Sequence, residues 1–138
     1  MSRTLAIIKP HSVREGVQDE IISMIRKDGF QIIAEKKEVI KKKLLEQHYS
    51  HHKDKPFFPG LIKEMSSSKA ILMVLEKKNA VEELRKLCGG TNPSDAKKGT
   101  IRNKYGRSVG DNAIHASDSD ENAEIEINRF FSEEDLGE

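Results

Sequence analysis

Ala70-Ile-Leu-Met-Val-Leu75 is the most apolar run in the chain. An uninterrupted apolar run of this length, bounded by turn residues, reads as a strand buried on both faces. Thr4-Leu-Ala-Ile-Ile8 reads the same way, and Lys9-Pro10 ends it. These two runs are the central strands of a sheet. Phe30 to Ile40 alternates imperfectly, with polar residues in its middle, which suits an edge or half-exposed strand. Ala113-Ile114 is a short last strand.

Helical patterns lie between the strands. Ser12-Val-Arg-Glu15 matches a capping box, and Val17, Ile21, Ile22, Met24 and Ile25 continue at helical spacing to about Lys27. Asp28-Gly29 is the stop. Lys42 to His52 reads as helical, and Leu61 to Met65 as a short helix behind an aromatic turn. Asn79 caps a helix from Ala80 to about Leu87, which Gly89-Gly90 stops. From Thr91 to Gly110 periodicity is lost, which predicts a loop of about twenty residues, a length usually kept for function. Glu121 to Phe131 is the last helix, and residues 132–138 form a loosely held acidic tail. Strands and helices alternate, but the strands are too few for a doubly wound sheet. A compact α+β sandwich fits: one four-stranded sheet with helices packed on it.

The 138 residues are expected to form one domain, 1–138. Charged residues make up 34% of the chain, yet the formal net charge is only +1, so composition gives no support to nucleic-acid binding as a main function. Lys41-Lys42-Lys43 reads as a solvated face. The single cysteine, Cys88, excludes an internal disulfide and a cysteine-rich zinc site, and fits a reducing compartment. Leu5 to Ile8 is too short for a signal peptide, and no stretch approaches membrane-spanning length. The expectation is a soluble cytoplasmic protein.

Asn112-Ala-Ile-His-Ala-Ser-Asp-Ser119 reads as strand, exposed histidine, helix cap and helix. An imidazole is available as a neutral nucleophile near pH 7, which makes His115 a candidate phosphate acceptor. Taken alone, a strand-end histidine is more often structural. There is no Gly-x-x-x-x-Gly-Lys-Ser/Thr loop and no Gly-x-Gly-x-x-Gly, so any phosphate here is held by separate side chains. Lys9, Arg85, Thr91, Arg102 and Asn112 are of the right types, and Phe57 in its turn could stack on a base. Each has a bland alternative: a snorkelling lysine, a solvated arginine, a small satellite core. His11, His48 and His51 read as solvated or packed, without a catalytic role.

Several strings occur together in one order: Arg3-Thr-Leu-Ala-Ile-Ile-Lys-Pro10, His48-Tyr49, Lys55-Pro-Phe-Phe-Pro-Gly-Leu61, Thr91-Asn-Pro93, Gly99-Thr-Ile-Arg102 and Asn112 to Ser119. In this set the chain resembles the nucleoside diphosphate kinases, from about Arg3 to Phe131. The resemblance implies a ping-pong transfer of the γ-phosphate of a nucleoside triphosphate, mainly ATP, through a phosphohistidine at His115 to a nucleoside diphosphate. Such an enzyme maintains nucleoside and deoxynucleoside triphosphate pools. The expected fold is a ferredoxin-like βαββαβ sandwich with a four-stranded antiparallel sheet covered by helices.

By position, the resemblance gives Lys9 and Asn112 to the ribose 3′ hydroxyl and the transferred phosphoryl region. Arg85, Thr91 and Arg102 would hold the β- and γ-phosphates, and Phe57 would stack on the base. His52, Leu61 and Val109 would complete the nucleotide site. Glu126 would orient His115, with Tyr49 and Ser117 supporting it. Mg²⁺ would be held through the nucleotide phosphates and not by protein side chains. Self-association as a homotetramer or homohexamer is implied. The chain departs from the family pattern at His11, usually Asp, at Ala116, usually Gly, at Asn103-Lys104-Tyr105, commonly Gly-Asp-Phe, and at Asp111, frequently Arg. Ala116 brings a methyl group to a position that a strained backbone would reserve for glycine.

Overall fold

The computed structural model describes residues 1–109 and 111–137. Strands β1 (Ser2–Ile8), β2 (Gln31–Glu38), β3 (Ala70–Lys77) and β4 (Ile114–Ala116) form one antiparallel sheet in the order β2-β3-β1-β4. The helices are α1 (Pro10–Arg14), α2 (Gln18–Lys27), α3 (Lys42–His48), α4 (Phe58–Met65), α5 (Ala80–Cys88), α6 (Ile101–Tyr105) and α7 (Asp120–Phe130). The two apolar runs occupy the centre of the sheet, and β2 is an edge, as the patterns predict.

Alternation along the strands sends neighbouring side chains to opposite faces, and each face builds its own core. Leu5 and Ile7 of β1 join Leu72 and Val74 of β3 against Leu45, Ile62 and Ile127 from α3, α4 and α7. Ala6 and Ile8 join Ile71, Met73 and Leu75 against Ile21, Ile25 and Leu84 from α2 and α5. Burial on both faces explains why these strands carry no polar alternation.

The structure corrects several local expectations. The helix expected from Ser12 to Lys27 is two helices, because Gly16 turns the chain at φ +77°. Its start is Pro10 at the first helical position, so Ser12 is buried inside α1 instead of capping it. Asn79 is left-handed and makes no side-chain cap; the Ala80 N–H is met by Ser2 Oγ at 2.9 Å. The helix from Lys42 ends at His48, and Ser50–His52 is a 3₁₀ turn. The long loop holds a 3₁₀ turn, Pro93–Asp95, and α6, both too short to show periodicity. Its expected end at Gly110 lies outside the described residues.

The acidic tail is tied down where it is described. Ser132 N–H donates to Asp135 Oδ2 at 2.9 Å, and Leu136 packs on the α7-side core. Glu138 lies outside the described residues. Among the described residues no helix is long and apolar enough to cross a membrane.

Candidate active site

Strand pairing decides where the histidine goes. β4 lies beside β1 with His115 opposite Ile7, and a directly opposed pair shares a face of the sheet. Ile7 belongs to the α7-side core, so His115 faces α7. Lys9, two residues beyond Ile7, leaves the end of β1 toward the same side. Ala116 is a regular strand residue paired with Ala6, without positive φ, so its methyl group strains nothing. The strain in this stretch lies three residues earlier, at Ala113, with φ +76°.

The next link is α7. Ser119 caps it, its Oγ accepting from Asn122 N–H at 3.1 Å, at the end of the stretch expected to hold a helix cap. The helix carries Glu126 back over His115. His115 Nε2 lies 2.8 Å from Glu126 Oε1, and Ser117 Oγ donates to the same oxygen at 2.7 Å. An ionised carboxylate only accepts, so Nε2 carries the proton and Nδ1 keeps its lone pair. The His115 side chain is 17% exposed: held, yet open to a reactant.

Electrostatics reinforce this pairing. Burial alone would raise the Glu126 carboxyl, but hydrogen bonds from His115 and Ser117 and the imidazole charge outweigh it and bring the pKa to about 2. Glu126 is therefore a fixed anion. Burial, then the charges of Arg102 against that of Asp111, pull the Lys9 ammonium down to about 8. Lys9 Nζ donates to Asn112 Oδ1 at 2.7 Å, and Asn112 Nδ2 donates to the Thr91 carbonyl at 3.0 Å.

Arg102 enters from α6. Its guanidinium donates to the carbonyls of Gly89 (2.8 Å) and Ile114 (2.9 Å), tying α6 to the end of α5 and to β4. Gly89 must be glycine: its φ is +86°, and an added Cβ would meet Thr100 Oγ1 at 2.5 Å. Arg85 lines the same space and has no ion-pair partner among the described residues.

These groups surround one cleft of about 490 Å³, lined by Lys9, Tyr49, His52, Arg85, Thr91, Arg102, Asn112, His115 and Glu126 among others. The fold thus brings together nine of the residues expected at the site, with Ser117 bonded behind them. Three others stand apart from the cleft wall. Phe57 is 53% exposed and touches the rim through His52, the ring centroids 5.2 Å apart. Val109 is 55% exposed. Leu61 packs against the α7-side core.

Two cleft residues escaped the sequence reading. His48, assigned no role, packs edge-on against His115 with ring centroids 4.6 Å apart. Burial and the neighbouring His115 bring its pKa to about 3, so it stays neutral. Its Nδ1 lies 3.1 Å from Arg129 Nη1, which fixes a donor contact on that nitrogen. The available signal was helical spacing, since Arg129 follows Glu126 by three residues on one face of α7.

The chain is similar to known proteins in sequence and in fold. The family model described as nucleoside diphosphate kinase matches residues 2–136. The nucleoside diphosphate kinase of Pyrococcus horikoshii is 48% identical over 99% of this chain and 88% of its own length. That of Archaeoglobus fulgidus is 42% identical over 99% and 90%. Among solved structures, the apo enzyme of Encephalitozoon cuniculi superposes with TM-score 0.94 at 41% identity, covering 98% of this chain and 92% of that one. The Halobacterium salinarum enzyme in complex with CDP gives 0.94 at 36% identity, covering 97% and 90%. The strings shared along the sequence, the antiparallel sheet of four strands and these matches together place the chain in the nucleoside diphosphate kinase family.

Proposed function

We propose that His115 carries the phosphoryl group in the phosphotransfer of this family. The carrying observation is the 2.8 Å contact that commits Nε2 to Glu126 and leaves Nδ1 as the free nucleophile. Nδ1 attacks the γ-phosphorus of a nucleoside triphosphate. An N–P bond forms, and the bond from phosphorus to the β–γ bridging oxygen breaks with its electron pair leaving on the diphosphate. The ring gains positive character as the bond forms, and the Glu126 carboxylate stabilises it through Nε2–H. In the second half the terminal oxygen of another diphosphate attacks the phosphorus, and the imidazole leaves with its lone pair restored.

The cleft's cations suit the phosphates. Arg85 has no competing carboxylate, and Lys9 and Arg102 are fixed by neutral partners, so all three retain charge for an anion. Tyr49 brings a buried hydroxyl without a partner among the described residues to the same wall. Lys9 and Asn112 hold the ribose 3′ hydroxyl region. Phe57 offers an exposed face to the base without reading its edges, which makes purines and pyrimidines equivalent.

The divalent cation is read as magnesium. The carboxylates lining the cleft are Glu126, already bonded to His115 and Ser117, and Asp118, which accepts from Asn122. The nearest three-residue grouping, His48, His115 and Glu126, is rich in nitrogen, whereas magnesium prefers oxygen. Magnesium therefore fits as a partner of the nucleotide's phosphates, whose charge it would offset while Lys9, Arg85 and Arg102 hold them.

The proposed setting is one cytoplasmic domain that assembles as a homotetramer or homohexamer and maintains nucleoside triphosphate pools; light scattering gives the assembly. The test of the reading is transfer from ATP to several nucleoside diphosphates with His115→Ala as control. Transfer is expected to vanish in the variant, and transfer retained by His115→Ala contradicts the reading.

A further inference from the structure

His11 is a buried histidine at a place where the chain departs from its family, and it touches neither the cleft nor solvent. Its Nε2 accepts the Ala113 N–H at 3.1 Å. Its Nδ1 lies 3.3 Å from Glu15 Oε1, and Arg107 holds that same oxygen at 3.2 Å. The carboxylate keeps the ring proton on Nδ1, so the lone pair on Nε2 points at Ala113.

Ala113 is where support is needed. It is fully buried and left-handed at φ +76°, a conformation L-residues disfavour. Its carbonyl accepts from the Lys9 N–H at 2.9 Å, so the corner between β1 and α1 grips both of its backbone polar groups. On one side stands Asn112, which holds the Lys9 ammonium. On the other, two residues along, stands His115.

We propose that His11 is a positioning residue: by accepting the Ala113 N–H it holds the left-handed turn that aims Asn112 and His115 at the cleft. The proposal rests on the reading of His115 as nucleophile. Loss of the acceptor leaves a buried N–H unsatisfied, and the turn shifts to find another partner. Glycine at position 113 adopts the turn without the strain and so weakens the dependence.

The experiment measures the single-turnover rate of His115 phosphorylation from ATP and Mg²⁺, with thermal stability and nucleotide affinity recorded for each variant. His11→Leu, of similar bulk without an acceptor, is expected to lower the rate per folded molecule on the order of tenfold or more. His11→Gln, whose Oε1 reaches the position of Nε2, is expected to stay within about threefold of wild type. Ala113→Gly added to His11→Leu is expected to recover part of the loss. Nitrogen NMR of the wild-type chain, which needs no variant to fold, is expected to show the His11 proton on Nδ1. A wild-type rate in His11→Leu, an equal loss in His11→Gln, no recovery with Ala113→Gly, or a proton on Nε2 overturns the inference. A wild-type chain that takes no phosphate on His115 instead overturns the reading beneath it.

Discussion

The two ends of the cleft are built differently. At the His115 end the reacting group and its neighbours are tied together: Glu126 to His115 and Ser117, Lys9 to Asn112, Arg102 to two carbonyls. These groups sit on or beside strands β1 and β4 and helices α6 and α7, largely out of water. At the other end Phe57, which meets the rim through His52, is more than half exposed. Reaction chemistry needs fixed geometry, since charge must develop against groups already in place. A base-tolerant site needs the opposite, an accessible ring face and few directional partners. On the proposed reading, rate belongs to the buried end and affinity to the rim.

The largest break in that contrast comes from Lys9. Lys9→Met is expected to lower kcat/KM by about a hundredfold or more, read in a coupled transfer assay. Its depressed pKa of about 8 adds a pH signature. The ammonium is needed in its charged form, so kcat/KM falls as pH rises through about 8. Lys9→Arg, which stays charged, is expected to remove that alkaline limb even where the basal rate is lower. An unchanged limb would assign it to another group.

Glu126→Gln comes next, with a loss of roughly ten- to a hundredfold in kcat, because the amide can neither stabilise the ring's developing charge nor fix its tautomer. The same variant separates stability from chemistry. The Glu126 carboxyl titrates near 2 in the folded chain, below its ordinary value of 4.5. Its contribution is thus fully present above pH 4.5 and is lost as pH falls toward 2. The shift corresponds to at most about 3 kcal/mol. Glu126→Gln is expected to flatten the fall of unfolding free energy on acidification, measured by denaturant titration across that range. An equally steep fall would mean that other carboxylates carry it.

The smallest effect belongs to the rim. Phe57→Ala is expected to raise KM several-fold for purine and pyrimidine nucleotides alike, about 1 kcal/mol of stacking, with kcat nearly unchanged. A large kcat loss would erase the distinction between the two ends.

The sheet was legible because Ala70 to Leu75 and Thr4 to Ile8 are buried on both faces and show it as unbroken apolar runs. A helix cap near Ser119 was legible because hydroxyl residues before a helix have one common use. Most site residues came through shared strings, not physics, since nothing in a lone Lys9 or Arg102 says what it faces. What stayed hidden was settled by contacts between distant segments. Asn79 loses its cap to Ser2, seventy-eight residues from the N–H it serves. His11 reads as packed or solvated until Ala113, 102 residues away, is brought against it. The left-handed turn at Ala113 had no glycine to announce it.

The most direct measurement asks which ring nitrogen receives the phosphate. The chain is incubated with ATP and Mg²⁺, and the phosphoenzyme is examined by phosphorus and nitrogen NMR. Because Glu126 occupies Nε2, the phosphate is expected on Nδ1 of His115, with Nε2 still protonated. Phosphate on Nε2, or on any residue other than His115, would contradict the account.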